Sequence, residues 1–105
     1  MKEQTKKMQS LQIPELVENA ASTYAENHGI TLFEFWNDAL EWLFSERKKR
    51  NFFFYIASPK AKYVSLWISE KNSKAISKLA IQDNVTKNRV LYTALILFLR
   101  EKAYL

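Results

Sequence analysis

The chain has 105 residues, an apolar share of 48%, one His, one Gly, two Pro and no Cys. That is one domain's length with enough apolar material for a core; without Cys there is no disulfide framework or thiolate metal site, and one His leaves little for zinc. The net charge of +5 is uneven: residues 1–48 hold 5 Lys/Arg against 8 Asp/Glu and residues 49–105 hold 11 against 3, so the second half either faces a polyanion or presents a solvated lysine-rich surface.

In chain order, Met1–Gln12 is polar and lacks the apolar stretch of a secretory leader. The greasiest run, Val90–Leu99, is interrupted by Tyr92 and Thr93 and is roughly half of the ~20 residues a spanning helix needs. A cytoplasmic protein without a membrane segment is expected.

Met8–Ile13 alternates as a strand does, with Leu11 and Ile13 on one face and Met8, Ser10 and Gln12 on the other. Pro14 suits a first helical turn. The helix that follows carries Leu16, Val17, Ala20, Ala21, Tyr24 and Ala25 on one stripe. Gly29 is placed to stop it in the left-handed conformation. Thr31 caps the next helix, with Glu34 completing a capping box. That helix runs from Leu32 to near Arg47, with Phe35, Trp36, Ala39, Leu40, Leu43 and Phe44 as its apolar stripe.

A connector over 48–62 holds the basic run Arg47-Lys48-Lys49-Arg50, then Phe52-Phe53-Phe54-Tyr55-Ile56, then Ser58-Pro59. Its aromatic residues are expected either to extend the preceding helix or to pack back on the core, and Pro59 ends whatever precedes it. A second strand follows at Tyr63–Ile68, with Val64, Leu66 and Ile68 on one face and Tyr63, Ser65 and Trp67 on the other. Ser69 is an N-cap. The third helix places Ala75, Ile76, Leu79 and Ala80 on its stripe, Asn84 stops it, and Thr86 caps the fourth. The fourth helix, from Lys87 to near Lys102, is apolar nearly all round through Val90, Leu91, Ala94, Leu95, Phe98 and Leu99, which predicts a central, buried position.

The second half restates the first. At an offset of 55 residues, Ser10–Lys48 lies on Ser65–Ala103 without a gap, and 11 of the 39 pairs are identical. A repeated unit that cannot cover its own apolar face needs a partner, and here the partner is the other copy. The predicted organisation is one pseudo-symmetric domain over 1–105: a first copy at 8–47, the connector at 48–62, and a second copy at 63–102. The fold is mainly α with a two-stranded antiparallel β-ribbon, in the order β-α-α-β-α-α about a pseudo-two-fold axis. The second helix of each copy crosses at the centre and the first helices pack outside.

The stretches SLQIPELVENAASTYAENHGIT and SLWISEKNSKAISKLAIQDNVTKNR share alternating strand, helix starter, first helix, Gly or Asn stop, Thr cap and second helix. This pattern resembles the ribbon-helix-helix family of Arc- and MetJ-like DNA-binding proteins, over about 80 of the 105 residues. In that family two units, usually from two chains, pair their strands into a ribbon that enters the major groove. The internal repeat makes this chain similar to fused, single-chain versions among accessory proteins of conjugative plasmid transfer and among transcriptional repressors.

The resemblance implies double-stranded DNA as the partner, with a repressor or relaxosome accessory role. It makes Met8, Ser10, Gln12, Tyr63, Ser65 and Trp67 the base-reading face. Gln12 suits a bidentate contact to adenine, and the two serines accept or donate. Met8, Tyr63 and Trp67 suit thymine methyls, and no Arg or Lys is available there to read guanine. The alternative is that Tyr63 and Trp67 build a protein-binding face or take connector aromatics on top of them.

Phosphate is the second expected contact, because a helix N-terminus offers free N–H groups and the positive end of the dipole. Thr86-Lys87-Asn88-Arg89 opens the fourth helix with both cations and donors. Thr31 opens the corresponding helix in copy one, but Glu34 there repels phosphate. Lys6, Lys7, Lys60 and Lys62 flank the strands within reach of the backbone beside the groove. Arg47–Arg50 is a further backbone contact or a solvated helix end.

Enzymatic activity, a cofactor and a metal are not expected. His28 sits beside the Gly29 stop, and Glu34, Asp38 and Glu41 follow the spacing of a solvated helix face. Two competing readings remain: an antitoxin- or assembly-type module that turns the ribbon to a protein partner, and membrane-surface attachment through Arg47–Ile56. On DNA, a second copy of the chain is a further possible neighbour.

Overall fold

The computed structural model describes residues 5–105; residues 1–4, part of the stretch read as leaderless, lie outside the described residues. The elements are β1 Lys6–Ile13, α1 Glu15–Asn27, α2 Leu32–Arg47, β2 Lys62–Ser69, α3 Glu70–Asp83 and α4 Lys87–Glu101. The chain is therefore mainly helical, with one two-stranded sheet in the order β-α-α-β-α-α.

β1 and β2 pair antiparallel, with Ser10 opposite Ser65, Met8 opposite Trp67 and Gln12 opposite Tyr63. Strand alternation divides the two faces as the sequence pattern requires. Leu11, Ile13, Leu66 and Ile68 point inward and are at most 3% exposed. Each such side chain stabilises the fold by roughly 1.5–3 kcal/mol. A two-stranded ribbon alone is marginal in water, so this inner face needs the helices beneath it. Both strands run longer than their apolar pattern, because Lys6 pairs with Ser69 and Lys62 with Ile13 at the two ends of the ladder.

Local chemistry explains where the helices begin and end. Thr31 accepts from the Glu34 backbone N–H at 3.1 Å, and Glu34 Oε1 accepts from the Thr31 N–H at 3.1 Å, completing the capping box. Thr86 and Ser69 cap α4 and α3 by accepting from the N–H groups of Arg89 and Asn72. Gly29 at φ +62° and Asn84 at φ 54° both take the left-handed conformation. The N–H of the next residue then reaches back to the last turn, from Ile30 to the Ala25 carbonyl at 3.0 Å and from Val85 to the Ala80 carbonyl at 2.9 Å.

The core lies between α2, α4 and the ribbon. Phe35, Ala39, Leu40 and Leu43 of α2, and Val90, Leu91, Leu95 and Leu99 of α4, are fully buried. Burial on several sides of α4 matches its nearly uniform apolar surface.

Two expectations need correction, and a third holds in part. Leu16 is 74% exposed rather than on the buried stripe. It lies one residue from Val17, about 100° round the helix, and so outside the stripe centred on Val17, Ala21 and Tyr24. Pro14 is the N-cap of α1, at φ −61° and ψ 145°, and not part of the first turn. The connector does not extend α2, and the alternative, packing back on the core, holds for part of it. It runs without regular structure, with Phe52, Phe54 and Tyr55 packed against the core and Phe53 and Ile56 left 90% and 69% exposed.

Candidate nucleic-acid interface

The outward face of the ribbon is made of three cross-strand pairs: Met8–Trp67, Ser10–Ser65 and Gln12–Tyr63. The larger side chains are open to solvent, Met8 at 54%, Trp67 at 51% and Tyr63 at 67% exposure. The connector does not cover them. Its Tyr55 N–H instead donates to Thr93 Oγ1 at 2.7 Å, and Arg100 donates to the Tyr55 hydroxyl at 3.0 Å, which ties the connector along α4.

Gln12 is differently committed. Its Nε2 donates to the carbonyls of Pro59 and Ala61, at 2.9 and 3.0 Å. The amide stitches the end of β1 to the segment leading into β2. A bidentate contact to adenine needs one N–H of that same group as donor, so the read-out expected of Gln12 requires breaking at least one of these bonds.

Contacts from β1 place the N-termini of α2 and α4 beside the ribbon. Lys6 lies over the Phe33 ring at 4.6 Å, in the first turn of α2, and Gln9 Nε2 comes within 3.5 Å of Asn88 Oδ1, in the first turn of α4. The two N-termini differ in charge. At α4, Lys87 and Asn88 are exposed. Arg89 is turned inward, donating from Nη2 to the Phe54 carbonyl at 2.7 Å, while its buried Nε has no partner among the described residues. At α2, Glu34 occupies the capping box. Partial burial first, and repulsion from Glu41 and Glu34 second, push the neighbouring Asp38 carboxyl above its usual range. That end of the ribbon therefore carries negative charge where the other carries Lys87.

Lys6, Lys7, Lys60 and Lys62 are all exposed around the strand ends. A cleft of about 230 Å³ opens where ribbon, connector and α4 meet, lined by Gln12, Ile56, Arg89 and Tyr92 among others. Burial there raises the Tyr92 phenol.

Sequence reasoning missed a buried polar cluster behind the ribbon. Asn37 Oδ1 accepts from the Ser69 N–H at 3.0 Å and from Asn72 Nδ2 at 2.7 Å, while Asn37 Nδ2 donates to the Phe33 carbonyl at 2.7 Å. It fixes the end of β2 against α2. The signal was present in the repeat: at the 55-residue offset, Asn37, Ser69 and Asn72 stand where the other copy has Tyr92, Pro14 and Val17.

Among the described residues there is no group of three or more His, Cys, Asp and Glu placed to hold a metal ion, and no helix long and apolar enough to cross a membrane. No family model, curated protein or solved structure matches the chain.

Proposed function

We propose that this chain is a double-stranded DNA-binding protein in which two strand–helix–helix copies pair within one polypeptide as a ribbon-helix-helix pseudo-dimer. The observation that carries the reading is the register. Ser10 faces Ser65, which is also its counterpart at the 55-residue offset. A two-fold axis exchanging two copies through an antiparallel ladder must pass through a pair of equivalent residues. The flanking pairs obey the same rule: Met8 faces Trp67 and Gln12 faces Tyr63, while Met8 aligns with Tyr63 and Gln12 with Trp67.

In this reading the ribbon enters the major groove. Ser10, Ser65, Met8, Trp67 and Tyr63 meet base edges, and Gln12 joins them only on releasing the connector. Lys87 and the free N–H groups of α4, with Lys6, Lys7, Lys60 and Lys62, hold phosphates and supply affinity without sequence preference. Thr31 offers a weaker grip because Glu34 stands beside it. Repression or an accessory part in plasmid transfer, in the cytoplasm, is the role that accompanies this architecture.

The test is fluorescence anisotropy of the purified chain on random duplex DNA over a salt series. Micromolar binding that weakens steeply with salt is expected, with a log–log slope of about −0.9 per phosphate contacted. Absence of binding at low salt would overturn the reading.

One observation favours a second reading. The open Met8–Trp67 pair, with Tyr63 on the same face, is an aromatic surface suited to a protein hot spot. Loss of a protein partner on Trp67→Ala, with DNA affinity unchanged, would select that reading.

A further inference from the structure

The 55-residue repeat produces the same corner of the fold twice, and the two corners are covered differently. At the first, where α1 meets the end of α4, the chain's own Tyr104 closes the corner. Its ring packs edge-on against Tyr24 at 5.1 Å, and its hydroxyl accepts from Asn27 Nδ2 at 3.0 Å. Its backbone N–H donates to the Leu99 carbonyl at 2.8 Å, and Leu99 is fully buried.

At the second corner, where α3 meets the end of α2, the offset puts Leu79 for Tyr24, Gln82 for Asn27 and Phe44 for Leu99. These three, with Ala75, Arg47, Lys48 and Lys78, line an open groove of about 440 Å³. The residue at the offset of Tyr104 is Lys49, where the chain turns away into the connector. Among the described residues no aromatic ring stands where Tyr104 stands in the other half, and Phe44 is only partly buried.

We propose that this groove receives a tyrosine from an acidic peptide segment of a protein partner. The ring would lie on Phe44, Ala75 and Leu79, as the Tyr104 ring lies on its own corner. The hydroxyl would accept from the Gln82 amide, as the Tyr104 hydroxyl accepts from Asn27. The rim supplies the charge preference. Arg47 is already engaged by Asp83 and Glu46 by Arg50, whereas Lys48 and Lys78 are exposed and have no ion pair among the described residues. Carboxylates flanking the tyrosine meet these two lysines. A second copy of the chain is a poorer occupant: its most exposed ring, Phe53, has no hydroxyl and follows the basic run ending at Arg50. No groove residue belongs to the ribbon or to the N-terminus of α4, so the site stands or falls separately from DNA binding.

The probe is a short fluorescein-labelled peptide with one Tyr flanked by Asp and Glu, titrated with the full chain. Micromolar binding is expected, weakened about tenfold or more when the peptide Tyr is replaced by Ala, and similarly by Lys78→Glu in the protein. Gln82→Ala should weaken the Tyr peptide but not its Phe version. Lys78 and Gln82 are exposed, so both variants should keep the fold, and circular dichroism checks this. Random-duplex affinity should be unchanged in both. Equal affinity for the Tyr and Ala peptides, binding indifferent to Lys78→Glu, or no binding would each overturn the proposal. So would concentration-dependent self-association that Lys78→Glu abolishes.

Discussion

Arg47, in the last turn of α2, donates two hydrogen bonds to Asp83 at the end of α3, from Nε to Oδ2 at 2.8 Å and from Nη2 to Oδ1 at 2.9 Å. This bidentate pair occurs in one half only, because the offset counterparts are Lys102 and His28. It braces α2 against α3 beside the groove that, among the described residues, no aromatic ring closes. The hydrogen bonds from Arg47 are the main cause holding the Asp83 carboxyl below its ordinary value of 3.8, against an opposing effect of burial. A carboxyl whose folded pKa is lowered contributes stability above its unfolded value, and that contribution disappears as pH falls through the folded pKa. Asp83→Asn should therefore lower the thermal midpoint at neutral pH, and the gap from the parent should close on acidification below 3.8. A gap that stayed constant down to the acid limit would mean the pair adds nothing through charge.

The Asn37 cluster makes a sharper test, because the repeat supplies its own control. Asn37→Leu leaves the buried Ser69 N–H without its acceptor and removes one of the two partners of Asn72 Nδ2, whose other partner is Glu41 at 3.2 Å. The stranded Ser69 N–H costs about 1–3 kcal/mol and the Asn72 amide, which keeps Glu41, roughly 1 more, so a loss of roughly 2–4 kcal/mol is expected in urea unfolding. In the other half Pro14 stands in the place of Ser69 and has no N–H to satisfy, and Val17 and Tyr92 are the offset counterparts of Asn72 and Asn37. The triple change Asn37→Tyr, Ser69→Pro, Asn72→Val should recover the part of that loss due to the stranded donors, less about 0.5–2 kcal/mol for the α3 cap that the Ser69 hydroxyl supplies. Additive losses from the three substitutions would show that the two ends of the ribbon are not built on one plan.

This cluster marks the boundary of what the sequence makes legible. Strand alternation, the Thr31 and Thr86 caps and the Gly29 and Asn84 stops can be read directly, since each depends on neighbours a few residues away. The repeat adds the one long-range fact, that the two strands belong together. Leu16 was misplaced because a list of apolar residues is not an angle: it stands about 100° from Val17, outside the stripe. Gln12 was placed on the outward face correctly, but strand period says nothing about an amide that reaches sideways to Pro59 and Ala61. Arg89 was read as a free cation because nothing local announces that the Phe54 carbonyl comes within reach. What could have been found is the concerted departure of Asn37, Ser69 and Asn72 from their counterparts.

Gln12 separates architecture from recognition. Gln12→Ala removes two hydrogen bonds from the connector, and at about 1 kcal/mol net for each, the urea unfolding free energy should fall by about 1–2 kcal/mol. If the amide stays committed to Pro59 and Ala61 on DNA, the variant keeps the parent's sequence preference once its lower stability is taken into account. A selective loss of affinity for sites containing adenine would show that the amide leaves the connector when DNA binds.

The charge asymmetry of the helix N-termini gives the most direct prediction about the interface. Glu34→Gln keeps a side-chain acceptor for the Thr31 N–H, since Gln also serves in a capping box, so the thermal midpoint should barely move. It removes a negative charge from the α2 end of the ribbon, where Asp38 and Glu41 already crowd it. If both copies approach the DNA backbone, random-duplex affinity should rise at low salt and the gain should shrink as salt screens it. Lys87→Glu, at the matching turn of α4, should do the opposite and reduce the salt slope by about 1 to 2. An effect of Lys87→Glu with none from Glu34→Gln would confine the phosphate grip to the second copy. Indifference to both would remove the helix N-termini from the interface and leave only the lysines at the strand ends to hold DNA.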